Sequence, residues 1–120
     1  MKKTILLVDD EVISRTILTF ILQREGYQVL TAIDGLDAQG HLQGKSIDLI
    51  ITDLNMPNMD GITLIGEIRI RDAYKYTPIV LFTSESEWQK KKAIEAGANG
   101  SIDKSFQTKQ ILTTIKAMIN

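Results

Sequence analysis

The sequence predicts an α/β fold, a parallel sheet with helices on both faces. Three observations predict it. Short apolar runs stop abruptly at polar residues: Ile5-Leu6-Leu7-Val8 at Asp9-Asp10, Leu49-Ile50-Ile51-Thr52 at Asp53, Ile79-Val80-Leu81-Phe82 at Thr83-Ser84, and the shorter Ser101-Ile102-Asp103 at Lys104. These runs alternate with stretches of helical spacing, the pattern of βαβ units. Turn-forming glycine and proline residues fall between the two kinds of segment.

The elements follow in order. A first strand covers about Thr4 to Val8. The helix after it, about Ile13 to Glu25, carries Ile13, Ile17, Phe20 and Ile21 on one face. Gly26 stands where a helix C-terminal glycine belongs. The second strand is Gln28 to Thr31. Asp34 is placed to cap a second helix that runs to about Gln43, although its pattern is poor and Gly40 interrupts it. The third strand is Leu49 to Thr52. The stretch Asn55-Met56-Pro57-Asn58-Met59-Asp60-Gly61 has loop chemistry. A third helix covers about Ile62 to Arg71, and Pro78 introduces the fourth strand. The fourth helix covers about Ser86 to Ala96 and stops at Gly97. The fifth strand is followed by a helix from Thr108 to Ile119. Its Ile111, Leu112, Ile115, Met118 and Ile119 form a stripe that must be buried.

Composition sets the outer limits. The 120 residues fit one domain over 1–120, with no linker or repeat. Hydrophobic residues at 43% suffice for a core, and a net charge of −1 gives no general pull toward nucleic acid or anionic membrane. Without cysteine, disulfides and thiolate metal sites are excluded. The apolar stretch behind Met1-Lys2-Lys3 is too short for a signal peptide or a membrane span, so a soluble, cytoplasmic chain is expected.

The ends of parallel strands are where ligands bind in such sheets. Three carboxylates, Asp9, Asp10 and Asp53, would meet there with Thr83 and Lys104. Crowded carboxylates repel one another and favour a divalent cation, for which magnesium suits oxygen ligands. A free carboxylate can attack phosphorus and form an acyl phosphate. A hydroxyl and an ammonium can hold phosphoryl oxygens. Bland roles compete with this reading. Asp53 could be a turn aspartate, and Asp10-Glu11 could cap the first helix and favour its dipole. His41, the one histidine, is assigned no role, and Lys90-Lys91-Lys92 reads as a solvated helix face. Trp88 is equally suited to core or partner contact.

Taken together, Val8-Asp9-Asp10, Asp53 ahead of Met56-Pro57-Asn58-Met59-Asp60-Gly61, Thr83, Gly97-Ala98 and Lys104 resemble bacterial response-regulator receiver domains over essentially the whole chain. The Thr83-Ser84-Glu85-Ser86 segment is most similar to single-domain, chemotaxis-type members. The resemblance implies a flavodoxin-like sheet of order 2-1-3-4-5. It implies Asp53 as phosphoacceptor, receiving its group from a histidine kinase or a histidine phosphotransfer protein. Magnesium would be held by Asp10, Asp53 and the Asn55 backbone carbonyl, with Asp9 acting through water. Thr83 and Lys104 would hold the phosphoryl oxygens, and Asn55 and Glu85 match positions that tune self-dephosphorylation. Beyond this self-directed phosphoryl chemistry no enzyme activity is expected. Output would pass to a protein target through the face built from helix four, strand five and helix five, with a phosphatase as a further partner and no nucleic acid or membrane.

Two residues depart from the family pattern. Ser101 stands where an aromatic normally rotates inward, three positions before the lysine. Ser105 stands where proline normally follows the lysine through a cis bond, which before a non-proline residue costs roughly 3 kcal/mol. Phe106 does match. The alternatives are a phosphorelay intermediate, the receiver part of a larger DNA-binding or enzymatic regulator, a metal-dependent phosphatase, and a scaffold used without phosphate. The phosphatase reading expects a second aspartate where Asn55 stands.

Overall fold

The computed structural model describes residues 2–119. Its strands are β1 (Thr4–Val8), β2 (Gln28–Ala32), β3 (Leu49–Thr52), β4 (Ile79–Thr83) and β5 (Gly100–Asp103). Its α-helices are α1 (Val12–Arg24), α2 (Gly35–Gln39), α3 (Gly61–Arg69), α4 (Glu87–Ala96) and α5 (Thr108–Ile119). All strand pairs are parallel, in the order β2-β1-β3-β4-β5. The register sets Val8 beside both Ala32 and Thr52, so the ends of β1, β2 and β3 align and Asp9 and Asp53 leave the sheet side by side.

Strand residues alternate between two faces. Leu6, Val8, Ile50, Ile79 and Leu81 pack with Leu64, Ile65 and Ile68 of α3 and Ala93 of α4. Ile5, Leu7, Leu49, Ile51, Val80, Phe82 and Ile102 pack with Leu18 and Leu22 of α1 and Ile111 and Ile115 of α5. The central strands are apolar on both faces because both faces are covered. Each fully buried Leu or Ile contributes about 1.5–3 kcal/mol of transfer free energy.

Three expectations need correction. Helix α2 spans only Gly35–Gln39, not a run to Gln43, although Asp34 does cap it, accepting from the Asp37 N–H at 2.8 Å. The helix closes in turns at Gly40, His41 and Leu42. Helix α3 ends at Arg69, and a 3-10 turn over Asp72–Tyr74 leads into β4. The apolar face of α1 is the larger surprise. Ile13, Ile17 and Phe20 are 75%, 55% and 60% exposed, and α1 is anchored instead by Leu18 and Leu22. Helices α1 and α5 share one sheet face, so a narrow i, i+4 pair is all that α1 can bury there. In α5, Ile111 and Ile115 are buried, while Leu112, Met118 and Ile119 are half-buried at the margin.

The remaining punctuation follows the sequence. Ser86 caps α4, and Gly97 ends it at φ +127°, a conformation that a side chain would strain. Below it, Arg69 donates to the carbonyls of Tyr74, Lys75, Thr77 and Gly97 and to Asn99 Oδ1. That one guanidinium ties α3 to the start of β4 and the end of α4. No helix among the described residues is long and apolar enough to cross a membrane.

Candidate functional site

Asp9 follows β1 and is fully buried. Its carboxylate accepts from the Glu11 N–H at 3.0 Å and from Ser14 Oγ at 2.9 Å. Burial pushes its pKa up, and these hydrogen bonds together with Lys104 only partly offset that. Arg15 of α1 donates to the Asp9 carbonyl at 2.6 Å, fixing the backbone beneath it. Asp10 is exposed.

Asp53 leaves β3 almost buried, its N–H bonded to the Val8 carbonyl at 3.0 Å. Its Oδ1 accepts from the Leu54 N–H at 2.7 Å. The loop beyond it folds back tightly. The Gly61 N–H donates to the Leu54 carbonyl at 2.8 Å, and a Cβ on Gly61 would collide with the Asp53 carbonyl oxygen. Glycine is therefore required at the start of α3, where Asp60 caps the helix through the Thr63 N–H. Asn58 takes a φ of +68° and donates to Asp34 at 2.7 Å, joining this loop to the β2–α2 turn.

Lys104, just past β5, reaches across to the acidic residues. Its Nζ lies 2.8 Å from Asp53 Oδ2 and 3.0 Å from Asp9 Oδ2, and it also pairs with Glu11 Oε1. Burial disfavours its charge, but hydrogen bonds with Asp53, Glu11 and Asp9 outweigh that and hold its pKa well above the usual lysine range. The Lys104 N–H donates to the Thr83 carbonyl, so the lysine backbone hangs on the end of β4. Thr83 is fully buried, and its Oγ1 accepts from the Glu85 N–H at 3.2 Å. Asn55 lies exposed in the loop after Asp53, and Glu85 is half-buried.

The structure thus brings Asp9, Asp10, Asp53 and Lys104 together. Carboxylate oxygens of the three aspartates lie within 4.8 Å of one another, a spacing and donor set that fit a hard divalent cation. Glu11 stands at the N-terminus of α1, but its side chain makes no capping bond and turns to Lys104 instead. Sequence reasoning left Glu11 a choice between cap and nothing, and missed Ser14 and Arg15 altogether. A glutamate directly after an aspartate pair was the available signal for Glu11, but its contact is with a residue 93 positions away.

The two positions that depart from the family pattern differ from the acidic cluster. Among the described residues no peptide bond is cis, so Lys104-Ser105 is trans. Ser105 donates through both N–H and Oγ to Asp103 Oδ1, at 2.8 and 2.7 Å, closing a tight turn beside Lys104. Ser101 is exposed on β5. Ser101 and Asp103 share the sheet face opposite Ile102, toward α4. There Lys90 of α4 is covered, its side chain 13% exposed, with Nζ 3.4 Å from Glu87 and 3.9 Å from Asp103. Lys90 is therefore not part of a solvated face, whereas Lys91 and Lys92 are exposed. Lys92 sits 4.0 Å over the Trp88 ring, and Trp88 is 64% exposed, a surface residue. His41 bonds the Thr31 carbonyl and Lys45, a local tie.

Comparisons with known proteins bear on the family and the fold. A family model described as the response regulator receiver domain matches residues 5–116. Chemotaxis protein CheY4 of Vibrio cholerae superposes with a TM-score of 0.92 at 35% identity, covering 98% of this chain and 99% of that one. The receiver domain of the sensor histidine kinase PA1611 of Pseudomonas aeruginosa PAO1, solved with magnesium in its active-site cleft, gives a TM-score of 0.92 at 26% identity, over 99% and 98% of the two chains. The alkaline phosphatase synthesis transcriptional regulatory protein PhoP of Bacillus subtilis (strain 168) is 33% identical over 119 residues, 99% of this chain and 49% of PhoP. The chain spans about half the length of that curated relative. It belongs to the response regulator receiver domain family.

Proposed function

We propose that this chain is a cytoplasmic phosphorylation switch that takes a phosphoryl group from a histidine kinase, or from a histidine phosphotransfer protein, onto Asp53. The observation that carries this is the Lys104 ammonium 2.8 Å from Asp53 Oδ2 inside a ring of carboxylates. Asp53 attacks phosphorus through a carboxylate oxygen. A P–O bond forms as the P–N bond to the donor imidazole breaks, and the electron pair stays on the imidazole nitrogen. Lys104 holds a phosphoryl oxygen, and Thr83 supplies a second donor. Asp10, Asp53 and the Asn55 backbone carbonyl would hold magnesium, with Asp9 acting through a bound water. Bound magnesium would neutralise charge that the carboxylates and the phosphoryl group accumulate. Water later cleaves the acyl phosphate, at a rate tuned by Asn55 and Glu85.

Output runs to a protein target through the α4–β5–α5 face. With Ser101 and Ser105 in place of the aromatic and the proline, the path from Lys104 passes through Asp103 to Lys90. A chemotaxis-type, single-domain regulator is the leading reading, supported by the 35% identity to CheY4. The specific support for a second reading, the receiver part of a larger regulator, is PhoP, which is about twice as long and is a transcriptional regulatory protein.

Intact mass after incubation with phosphoramidate, with and without magnesium, tests the phosphoacceptor. One added phosphoryl group is expected on the native chain with magnesium and none on Asp53→Asn. An unmodified native chain, with labile-product controls in place, would instead support a scaffold used without phosphate.

A further inference from the structure

We infer that Glu11 is a positioning residue that competes with the incoming phosphoryl group for Lys104 and so limits how fast Asp53 is modified. This rests on the phosphoacceptor reading above. An ammonium has three N–H donors. The Lys104 ammonium already faces Asp53, Asp9, Glu11 and Ser14 Oγ, the last at 3.3 Å. A phosphoryl oxygen can bind it only by displacing one of these.

The four partners are not equally removable. Asp9 is fully buried and held by the Glu11 N–H and Ser14. Asp53 is nearly buried and held by the Leu54 N–H. Ser14 is tied to Asp9. The Glu11 side chain is 61% exposed, makes no capping bond, and among the described residues has only Lys104 and a long 3.5 Å contact from Ser14 to hold it. Glu11 can therefore swing into water, while Asp9 and Asp53 cannot leave without burying an unpaired charge and Ser14 is kept in place by its bond to Asp9. Its carboxylate also sits where an anionic donor must approach, so it opposes that approach while it stays. The Lys104 side pulls the Glu11 carboxyl below the ordinary range, so it is charged throughout the working pH range.

The test compares phosphorylation rates of the native chain, Glu11→Gln and Glu11→Asp with phosphoramidate in excess magnesium, read by intact mass. Sodium chloride is set low and then high, roughly 0.05 and 0.5 M. In the transfer, Asp53 forms a P–O bond, the P–N bond breaks, and ammonia leaves after taking a proton from solvent. The expected result is a Glu11→Gln rate about three- to tenfold above native at low salt, the gap narrowing at high salt. Glu11→Asp, which keeps the charge but shortens the reach, should fall between. A Glu11→Gln rate equal to or below native, or a gap that ignores salt, would overturn the inference while leaving Asp53 as acceptor. A native chain that takes no phosphoryl group would bring down the phosphoacceptor reading and this inference with it.

Discussion

Two corners of the same sheet edge contrast. At the ends of β1 and β3, Asp9 and Asp53 are buried, joined through Lys104 and of the types the family pattern calls for. At the end of β5 and along α4 the pattern is broken. Serine replaces the aromatic and the proline, and a covered lysine reaches toward Asp103. Phosphoryl chemistry tolerates little change in position, because a 1 Å misplacement can cost about a hundredfold in rate. A switch face only has to present two arrangements of comparable energy, and different side chains can do that. Under the proposed function, the chain separates what must be exact in geometry from what can be rebuilt.

The largest expected effect breaks the comparison outright. Asp53→Asn should abolish phosphoryl acceptance, and Lys104→Met should slow it by about a hundredfold or more, both read by intact mass. If Lys104→Met reacted at the native rate, the two corners would not be coupled through the lysine. Next in size is Arg69→Met. It orphans carbonyls of Tyr74, Lys75, Thr77 and Gly97 and should cost roughly 2–4 kcal/mol of stability in urea unfolding, leaving the acceptor residues in place. Ser101→Tyr sharpens the contrast instead. It should leave the phosphorylation rate within about twofold, because the site residues are untouched, yet disturb the α4–β5 face and change the accessibility of Trp88 to a quencher.

The smallest effect lies in acid. The Asp37 N–H and Asn58 hold the Asp34 carboxyl below its ordinary range. A folded-state pKa below the unfolded one means that Asp34 stabilises the fold above the unfolded value, near 4, and loses that contribution as pH falls through the folded pKa. Asp34→Asn should flatten the loss of stability below about pH 4, measured by thermal melting across pH.

Much of this was legible in the sequence because it depends on local rules. Apolar runs that are buried on both faces need no partner information, and the residue ending each run lands at the sheet edge. Asp34, Ser86 and Gly97 announced helix ends by chemistry that acts within a few residues. The exposed Ile13, Ile17 and Phe20 were opaque, because helical spacing reveals that a face is apolar and not what covers it. Helix α2 fell short because Gly40 weakens a helix already poor in pattern. Lys90 and Glu11 were missed for a common reason. Each is a charged residue on a helix, ordinarily solvated, whose environment is set by a partner in β5 or the loop after it.

Hydrogen–deuterium exchange of the native chain, with and without the phosphoryl group, tests most directly whether an intact acceptor corner drives a rebuilt switch face. The expected result is slowed exchange over residues 53–61 and 103–106 together with a change over α4. Slowed exchange confined to the acceptor residues, with α4 unaltered, would contradict a route from Lys104 through Asp103 to Lys90.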